Sequence, residues 1–332
     1  MYDVLALGEC LVEIMRDKRD VPHDVPGVYL GPYPSGAPAI FADCCARLGL
    51  RTMLIGAVGN DAFGRLIIDR LKKSGVDVSR IKILNNYTTG VAFVTYFSTG
   101  HRQFIYHLRH AASGQIFPED VDPSCVEEVK LLHIMGSTLA INENCREACY
   151  KAVELAKKRD KLITFDPNLR PELLSPEVIR DISRPVLDSA KIILPSAAEA
   201  ETLTGISDPI EAGKELLKKG PEIVVIKLGE KGSIAITEEQ ILKMPAFKVE
   251  EIDPTGAGDV YDAAFIYGIS QGWTIDRSLK FANAAGAIKV TRFGPMEGPT
   301  SLMEVLNFLE KHGESFSLKR KKNRNSLGGS ST

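Results

Sequence analysis

The residues best suited to chemistry lie late in the chain, in Asp253-Pro254-Thr255-Gly256-Ala257-Gly258-Asp259. Helical periodicity follows from Val260 to Gly268. Small residues just before a helix let a bulky anion reach the free N–H groups of its first turn. Thr255 is placed to cap this helix, and Asp259 falls in the first turn. A carboxylate there has two readings. It complements the helix dipole, or it faces the anion pocket as a base, taking a proton from a hydroxyl that attacks a phosphoryl group. The stretch is neither a Gly-x-x-x-x-Gly-Lys-Ser/Thr phosphate loop nor a Gly-x-Gly-x-x-Gly dinucleotide turn.

The elements that must position these residues alternate along the chain. Short β-branched runs recur at Asp3–Leu7, Thr52–Ala57, Leu131–Ile134, Leu162–Phe165, Ile192–Leu194, Ile223–Lys227 and Ser233–Thr237. Helical patterns at Ile40–Leu48, Arg65–Ser74, Glu143–Lys158, Ser175–Asp188 and Pro209–Lys218 lie between many of them. Continuous apolar strands separated by amphipathic helices predict an α/β fold, a parallel sheet covered on both faces. Beyond Thr237 the pattern changes to three long helices, starting at Gly256, Ile275 and Ser301. Two stretches break the alternation, residues 11–33 and 89–107, which read as antiparallel strands around turns such as Ser98-Thr99-Gly100. They predict a small sheet lying as a lid over the carboxyl ends of the parallel strands, where open α/β sheets bind ligands.

Composition narrows the function classes. The chain has 332 residues, 44% hydrophobic and 25% charged, with a formal net charge of −2. The last 14 residues hold Lys319, Arg320, Lys321, Lys322 and Arg324 and no acid, so residues 1–318 carry −7. An acidic body of this kind argues against a surface that grips nucleic acid. The basic segment within 313–332 reads as a disordered tail. No run of about 18 apolar residues is present to span a bilayer, and the chain opens on a strand pattern rather than a signal peptide. Cys10, Cys44, Cys45, Cys125, Cys145 and Cys149 form no Cys-x-x-Cys pair and read as reduced, buried thiols of a cytoplasmic protein.

The Asp-x-Thr-Gly-Ala-Gly-Asp stretch resembles the signature of the ribokinase-like sugar kinases, the phosphofructokinase-B family. Further segments strengthen the resemblance. Pro34-Ser35-Gly36-Ala37-Pro38-Ala39 is similar to the family's Gly-Gly-x-x-x-Asn sugar segment, and Gly56-Ala57-Val58-Gly59-Asn60-Asp61-Ala62-Phe63-Gly64 to its Gly-x-Asp-x-x-Gly segment. Asp166-Pro167-Asn168-Leu169-Arg170 resembles the Asp-x-Asn-x-Arg stretch of the fructokinase and 2-keto-3-deoxygluconate kinase branches, and Lys227-Leu228-Gly229-Glu230-Lys231-Gly232 the nucleotide-side strand and turn. The resemblance implies a three-layer αβα sandwich over residues 1–312, with a mainly parallel central sheet and a β lid. It also implies ATP-dependent phosphorylation of a primary hydroxyl on a ketose or keto-sugar acid. Asp259 would be the base, and the backbone of Gly256, Ala257, Gly258 and Asp259 the anion hole.

Further roles are carried over on the same resemblance. Glu13, Gly36, Ala37, Asn168 and Arg170 would bind the sugar. Arg109 would meet a carboxylate or the transferring phosphate, or is a solvated surface arginine. Ser196 and Glu199 match the motif linked to Mg²⁺ and phosphate. Lys227, Gly229, Gly232 and Asn283 match the adenosine pocket, with an ordinary polar surface role as the alternative for Lys227 and Asn283. Asp253, Thr255, Arg292 and Gly294 match a region where many relatives bind a monovalent cation, by preference potassium. The chain departs from the pattern at Ser35 (for glycine), Ile40 (for asparagine), Ser196 (for asparagine) and Asp262 (for a small residue). These departures bear on substrate identity more than on kinase chemistry. A nucleoside kinase of the same fold and a non-catalytic sugar or nucleotide sensor stand as alternatives, and the apolar face of Val91–Phe97 predicts a homodimer through the lid.

Overall fold

The computed structural model describes residues 1–100 and 102–314; the basic tail expected beyond Glu314 lies outside the described residues. Among the described residues thirteen strands form two sheets. The large sheet contains β1 (Tyr2–Leu7), β4 (Thr52–Gly59), β5 (Ile81–Leu84), β8 (Val129–Met135), β9 (Leu162–Asp166), β10 (Ile192–Ile193), β11 (Ile223–Lys227), β12 (Ser233–Ile236) and β13 (Ile241–Met244). Its order is β13-β12-β11-β10-β9-β8-β1-β4-β5. Pairing is parallel from β11 to β5 and antiparallel only where β12 and β13 extend one edge.

The expected alternation holds because each central strand is buried on both faces. In β1, Val4 and Ala6 join one apolar core while Leu5 and Leu7 join the other. The first core packs against the helices Ala37–Arg47, Ala257–Ser270 and Ile275–Val290, the second against Glu143–Lys157, Pro176–Leu187 and Pro209–Leu217. That is the three-layer αβα sandwich. The helix Ala257–Ser270 is buried on nearly every side from Asp259 to Gly268, which removes the amphipathic stripe an outer helix would show. Trp273 packs edge-on against Tyr267 and Phe281 at 5.4 and 5.3 Å, a core role.

The second sheet has the order β3 (Tyr29–Ser35), β2 (Leu11–Arg16), β6 (Gly90–Tyr96), β7 (Arg102–His107). Here the antiparallel expectation needs correction. β2–β3 and β6–β7 are antiparallel hairpins, but β2 and β6 pair in parallel, Leu11 opposite Gly90 and Met15 opposite Val94. The intervening β4 and β5 belong to the large sheet, so the chain returns to the lid by a crossover, which allows a parallel neighbour. All six cysteines are buried and free. Among the described residues no helix is long and apolar enough to cross a membrane.

Candidate active site

Two cavities meet at the start of the helix Ala257–Ser270. The first, about 290 Å³, lies between the lid and the carboxyl ends of the parallel strands. Asp166 comes from the end of β9, Lys227 from the end of β11, and Glu9 from just beyond β1. The second, about 680 Å³, is walled by the turn after β11, the segment after β13 and the helix Ile275–Val290. Lys227, Gly229 and Gly258 line both cavities and mark the seam between them.

Local chemistry forms the turn at that seam. Asp253 is 1% exposed, and its Oδ1 accepts from Thr255 N–H (2.9 Å) and Thr255 Oγ1 (2.6 Å). Thr255 therefore folds back onto Asp253 and does not cap the helix, contrary to expectation. The cap position belongs to Gly256 in the left-handed conformation, φ 77°. A Cβ there would come within 2.5 Å of Pro295 O, so glycine is required on both counts. Val260 N–H makes the helix's bond to Gly256 O (2.9 Å), and Ala257 N–H turns back to Pro254 O (3.2 Å). Of the expected anion hole, Ala257 N–H serves the turn itself, and Gly258 and Asp259 lie in the first turn, where N–H groups have no helix carbonyl to meet.

Asp259 stands at 6% exposure on the first cavity, where Asn168 Nδ2 donates to its Oδ1 (3.2 Å). Burial, then the neighbouring Asp166 charge, push its carboxyl up to about 7, against the pull of Arg170 and Lys227. Asn168 is held at φ 39°, left-handed backbone that asparagine tolerates, by its N–H donating to Asp166 Oδ1 (3.1 Å). Lys227 is sandwiched between Asp166 (3.1 Å) and Asp262 (3.0 Å). Burial lowers the lysine, but the two carboxylates outweigh it and keep the ammonium charged. Burial likewise acts to raise Asp166, yet Lys227 holds it below the usual range, while Asp262 is pushed well up. Asp262 thus faces Lys227 and not the base.

On the lid side of the first cavity, Glu13 is buried, and its Oε1 accepts from Ser35 Oγ (2.7 Å). Burial raises its carboxyl to about 7, opposed by that hydrogen bond. The departure at Ser35 therefore positions Glu13. Gly36, with φ 108° and a would-be Cβ 2.2 Å from Glu9 O, lines the cavity beside Ala37. Ile40 presses on Gly256, its Cδ1 3.2 Å from where a Cβ would stand, so this departure puts an apolar contact in place of a polar one. Arg170 reaches the cavity; burial lowers its guanidinium, but Tyr106, Asp259, Glu9 and Glu199 raise it more. Glu13 Oε2, Asn168 Oδ1 and Ser137 Oγ are buried without a partner on or beside this cavity wall.

Other expected residues fall differently. Arg109 is not brought to this cavity. It donates to Ile141 O (3.2 Å) and lines a separate hollow of about 610 Å³ against Val91, Phe93 and His107 on the opposite face of the lid, with His110. Arg102 supplies a cation instead, with Phe104 and Tyr106. These three alternate along β7, so one strand face carries all of them; that period-two pattern was the signal in the sequence. Ser196 and Glu199 line the cavity as a capping box, Ser196 N–H and Leu169 N–H donating to the two Glu199 oxygens (2.7 and 2.9 Å). Gly229, Gly232 and Asn283 line the second cavity, but Asn283 spends its amide on Met244 O, Pro245 O and Ser233 Oγ. Gly294 N–H donates to Asp253 Oδ2 (2.9 Å), whereas the Arg292 guanidinium turns away to Glu304 and Gly298 O (3.0 Å).

Two joined cavities, a helix N-terminus at their seam and a carboxylate beside it lie on a ribokinase-type fold. The model of the pfkB family carbohydrate kinases matches residues 1–301, and the chain belongs to that family. It is 31% identical over 318 residues to fructokinase-1 of Zea mays, covering 93% of this chain and 98% of the relative. Against the 5-dehydro-2-deoxygluconokinase of Shouchella clausii (strain KSM-K16), identity is 30% over 315 residues, covering 93% and 96%. An E. coli structure described as a candidate ribokinase II, in complex with ATP and Mg²⁺, superposes with a TM-score of 0.87 at 41% identity, covering 94% and 100%. The protein is a carbohydrate kinase.

Proposed function

We propose that this kinase transfers the γ-phosphoryl group of ATP to the primary hydroxyl of a ketose or keto-sugar acid, of ketohexose or 2-keto-3-deoxygluconate type, with residues 1–312 as one kinase unit. The observation that carries this reading is Asp259 in the first cavity, next to Gly258 at the seam with the second, on the side lined by acceptors without partners. A polyhydroxylated ligand supplies the donors that Glu13 Oε2 and Asn168 Oδ1 lack. The adenosine end of ATP fits the second cavity, which places its phosphates across Lys227 and Gly258.

Asp259 then takes the proton of the attacking hydroxyl as that oxygen forms its bond to the γ-phosphorus. The β–γ anhydride bond breaks and ADP leaves with its electrons. A base with pKa near the working pH suits this step. The N–H groups of Gly258 and Asp259 and the Lys227 ammonium face the negative charge that builds on the transferring group. The donors fit Mg²⁺: Asp166 and Glu199 are hard oxygen ligands on the same wall, and Glu199, with both oxygens engaged by backbone N–H, would reach the ion through water. When bound, that ion neutralises phosphate charge.

Arg102 and Arg170 on the cavity wall favour the keto-sugar acid within this class, because a guanidinium pairs with a carboxylate in bidentate fashion. The test is a coupled ADP-release screen over fructose, tagatose, ribose, 2-keto-3-deoxygluconate and nucleosides. Preference for the acid, lost by about tenfold or more in Arg102→Gln while fructose turnover is spared, is the expected result. Preference for a nucleoside, stacked on Phe104 and Tyr106, would replace the reading. Association through the outer face of the lid belongs to the same proposal, and a monomeric mass at micromolar concentration would remove it.

A further inference from the structure

Behind the anion-binding turn lies an ammonium with no exposed surface. Lys289, near the end of the helix Ile275–Val290, is 0% exposed. Its Nζ donates to Asp253 O (2.7 Å) and Arg292 O (3.1 Å) and lies 3.6 Å from Asp253 Oδ2. Lysine is almost never buried this completely unless its charge is answered. The two carbonyls belong to the two segments that frame the Gly256–Asp259 turn. Those segments are otherwise held by Ile252 and Asp253 N–H donating to Val290 O (2.7 and 3.1 Å) and by Gly294 N–H on Asp253 Oδ2 (2.9 Å).

The family resemblance implies a monovalent cation among Asp253, Thr255, Arg292 and Gly294. The residues present do not fit one. The carbonyls of Asp253 and Arg292 already serve an ammonium. Asp253 Oδ1 accepts from Thr255 and Tyr96, the latter at 3.1 Å, and Oδ2 accepts from Gly294. A second cation placed there would lie within a few ångströms of Nζ and share Asp253 with it, in a setting where water screens poorly. Lys289 lines neither cavity.

We propose that Lys289 is a positioning residue whose tethered ammonium replaces a bound monovalent cation, so that the anion-binding turn is ordered, and the kinase works, without potassium. The ammonium clamps the Asp253 and Arg292 carbonyls and thereby fixes the turn that presents the Gly258 and Asp259 N–H groups. The proposal rests on the reading of that turn as the phosphate site, but it is tested by readouts that do not need turnover.

The experiment compares the full-length protein with Lys289→Ala and Lys289→Met in equal concentrations of potassium chloride and choline chloride. It reads melting temperature, thallium(I) binding by NMR, and ADP release. The wild type is expected to melt at the same temperature in both salts, to bind no thallium saturably and to turn over equally. Lys289→Ala is expected to melt lower in choline, to recover in potassium, to bind thallium and to lose about tenfold or more of its turnover until potassium restores it. Lys289→Met fills the space without charge and should lose turnover in both salts. Saturable thallium binding or potassium activation of the wild type would overturn the proposal, and that measurement requires no variant to fold. A folded Lys289→Ala protein indifferent to potassium would also overturn it. If the wild type phosphorylates no sugar, the melting and thallium results still decide on Lys289.

Discussion

Replacing Asp259 with asparagine separates two consequences of one buried carboxylate. In the folded chain this group ionises near pH 7, against 3.8 for its ordinary value, because burial and Asp166 oppose its charge. Below about pH 4 both the folded and unfolded chains hold the proton, and the carboxyl costs the fold nothing. As pH rises toward 7 the unfolded chain releases its proton first, so stability falls, and above about 7 the whole penalty is present. A pKa moved from 3.8 to about 7 corresponds to roughly 4 kcal/mol. Asparagine at this position has no charge to desolvate and keeps an acceptor for Asn168 Nδ2, which lies 3.2 Å from the present Oδ1. For a chain of this length the gain amounts to about 6 °C in melting temperature as an upper value. Asp259→Asn is therefore expected to melt several degrees above the wild type at pH 8, with the gap narrowed to less than half at pH 5, as read by calorimetry on the ligand-free protein. The same variant is expected to lose about 10²- to 10⁴-fold in kcat, the usual worth of a general base. In the wild type, kcat/KM should rise with pH through a limb near 7, because the base must be ionised in the free enzyme. A variant that phosphorylates sugar within about tenfold of the wild-type rate would refute the base assignment. A melting gap equal at pH 5 and pH 8 would refute the buried charge.

Other expectations follow from neighbouring contacts. Lys227→Met leaves Asp166 and Asp262 facing one another at 1% and 0% side-chain exposure, and urea unfolding at pH 8 should show a loss of about 3–5 kcal/mol. Adding Asp262→Asn should return more than half of it; a single variant as stable as the wild type would contradict the clamp. Ser35→Ala removes the hydroxyl that donates to Glu13 Oε1 and lets that carboxyl rise further above its value of about 7. Steady-state kinetics at pH 7 should show the sugar KM raised by about tenfold with kcat little changed. The defect should shrink at higher pH as Glu13 ionises, and an unchanged KM would remove Ser35 from the sugar site.

Much of the architecture was legible in the chain. The apolar runs of β1, β4, β8, β9 and β11 and their intervening helices announced a sheet buried on both faces, because such burial leaves its mark on consecutive residues. The turn at Asp253–Asp259 was legible for a similar reason: glycine, small residues and a first-turn acid act within one helical turn, over distances set by the backbone. Short strands with little pattern, such as β5 and β13, were not picked out, since they gain their pairing from a neighbour already in place.

The pairings across the molecule were not legible. Arg109 and Arg102 look alike as residues near the lid, but the register of β6 and β7 turns Arg102 to the first cavity, while Arg109, past the end of β7, is tied to Ile141 O and lines a different hollow. Asp262 read as a departure near the base, whereas the fold brings β11 alongside and gives it Lys227 as a partner. Nothing in the local pattern marks Lys289, whose burial comes from the carbonyls of Asp253 and Arg292 on two separate segments that close over its ammonium. Periodicity and turn chemistry are local and survive in the order of residues. The burial of a charge, the partner that answers it and the pKa that results depend on which distant segments pack together, and the electrostatics of this protein's first cavity are built from those contacts.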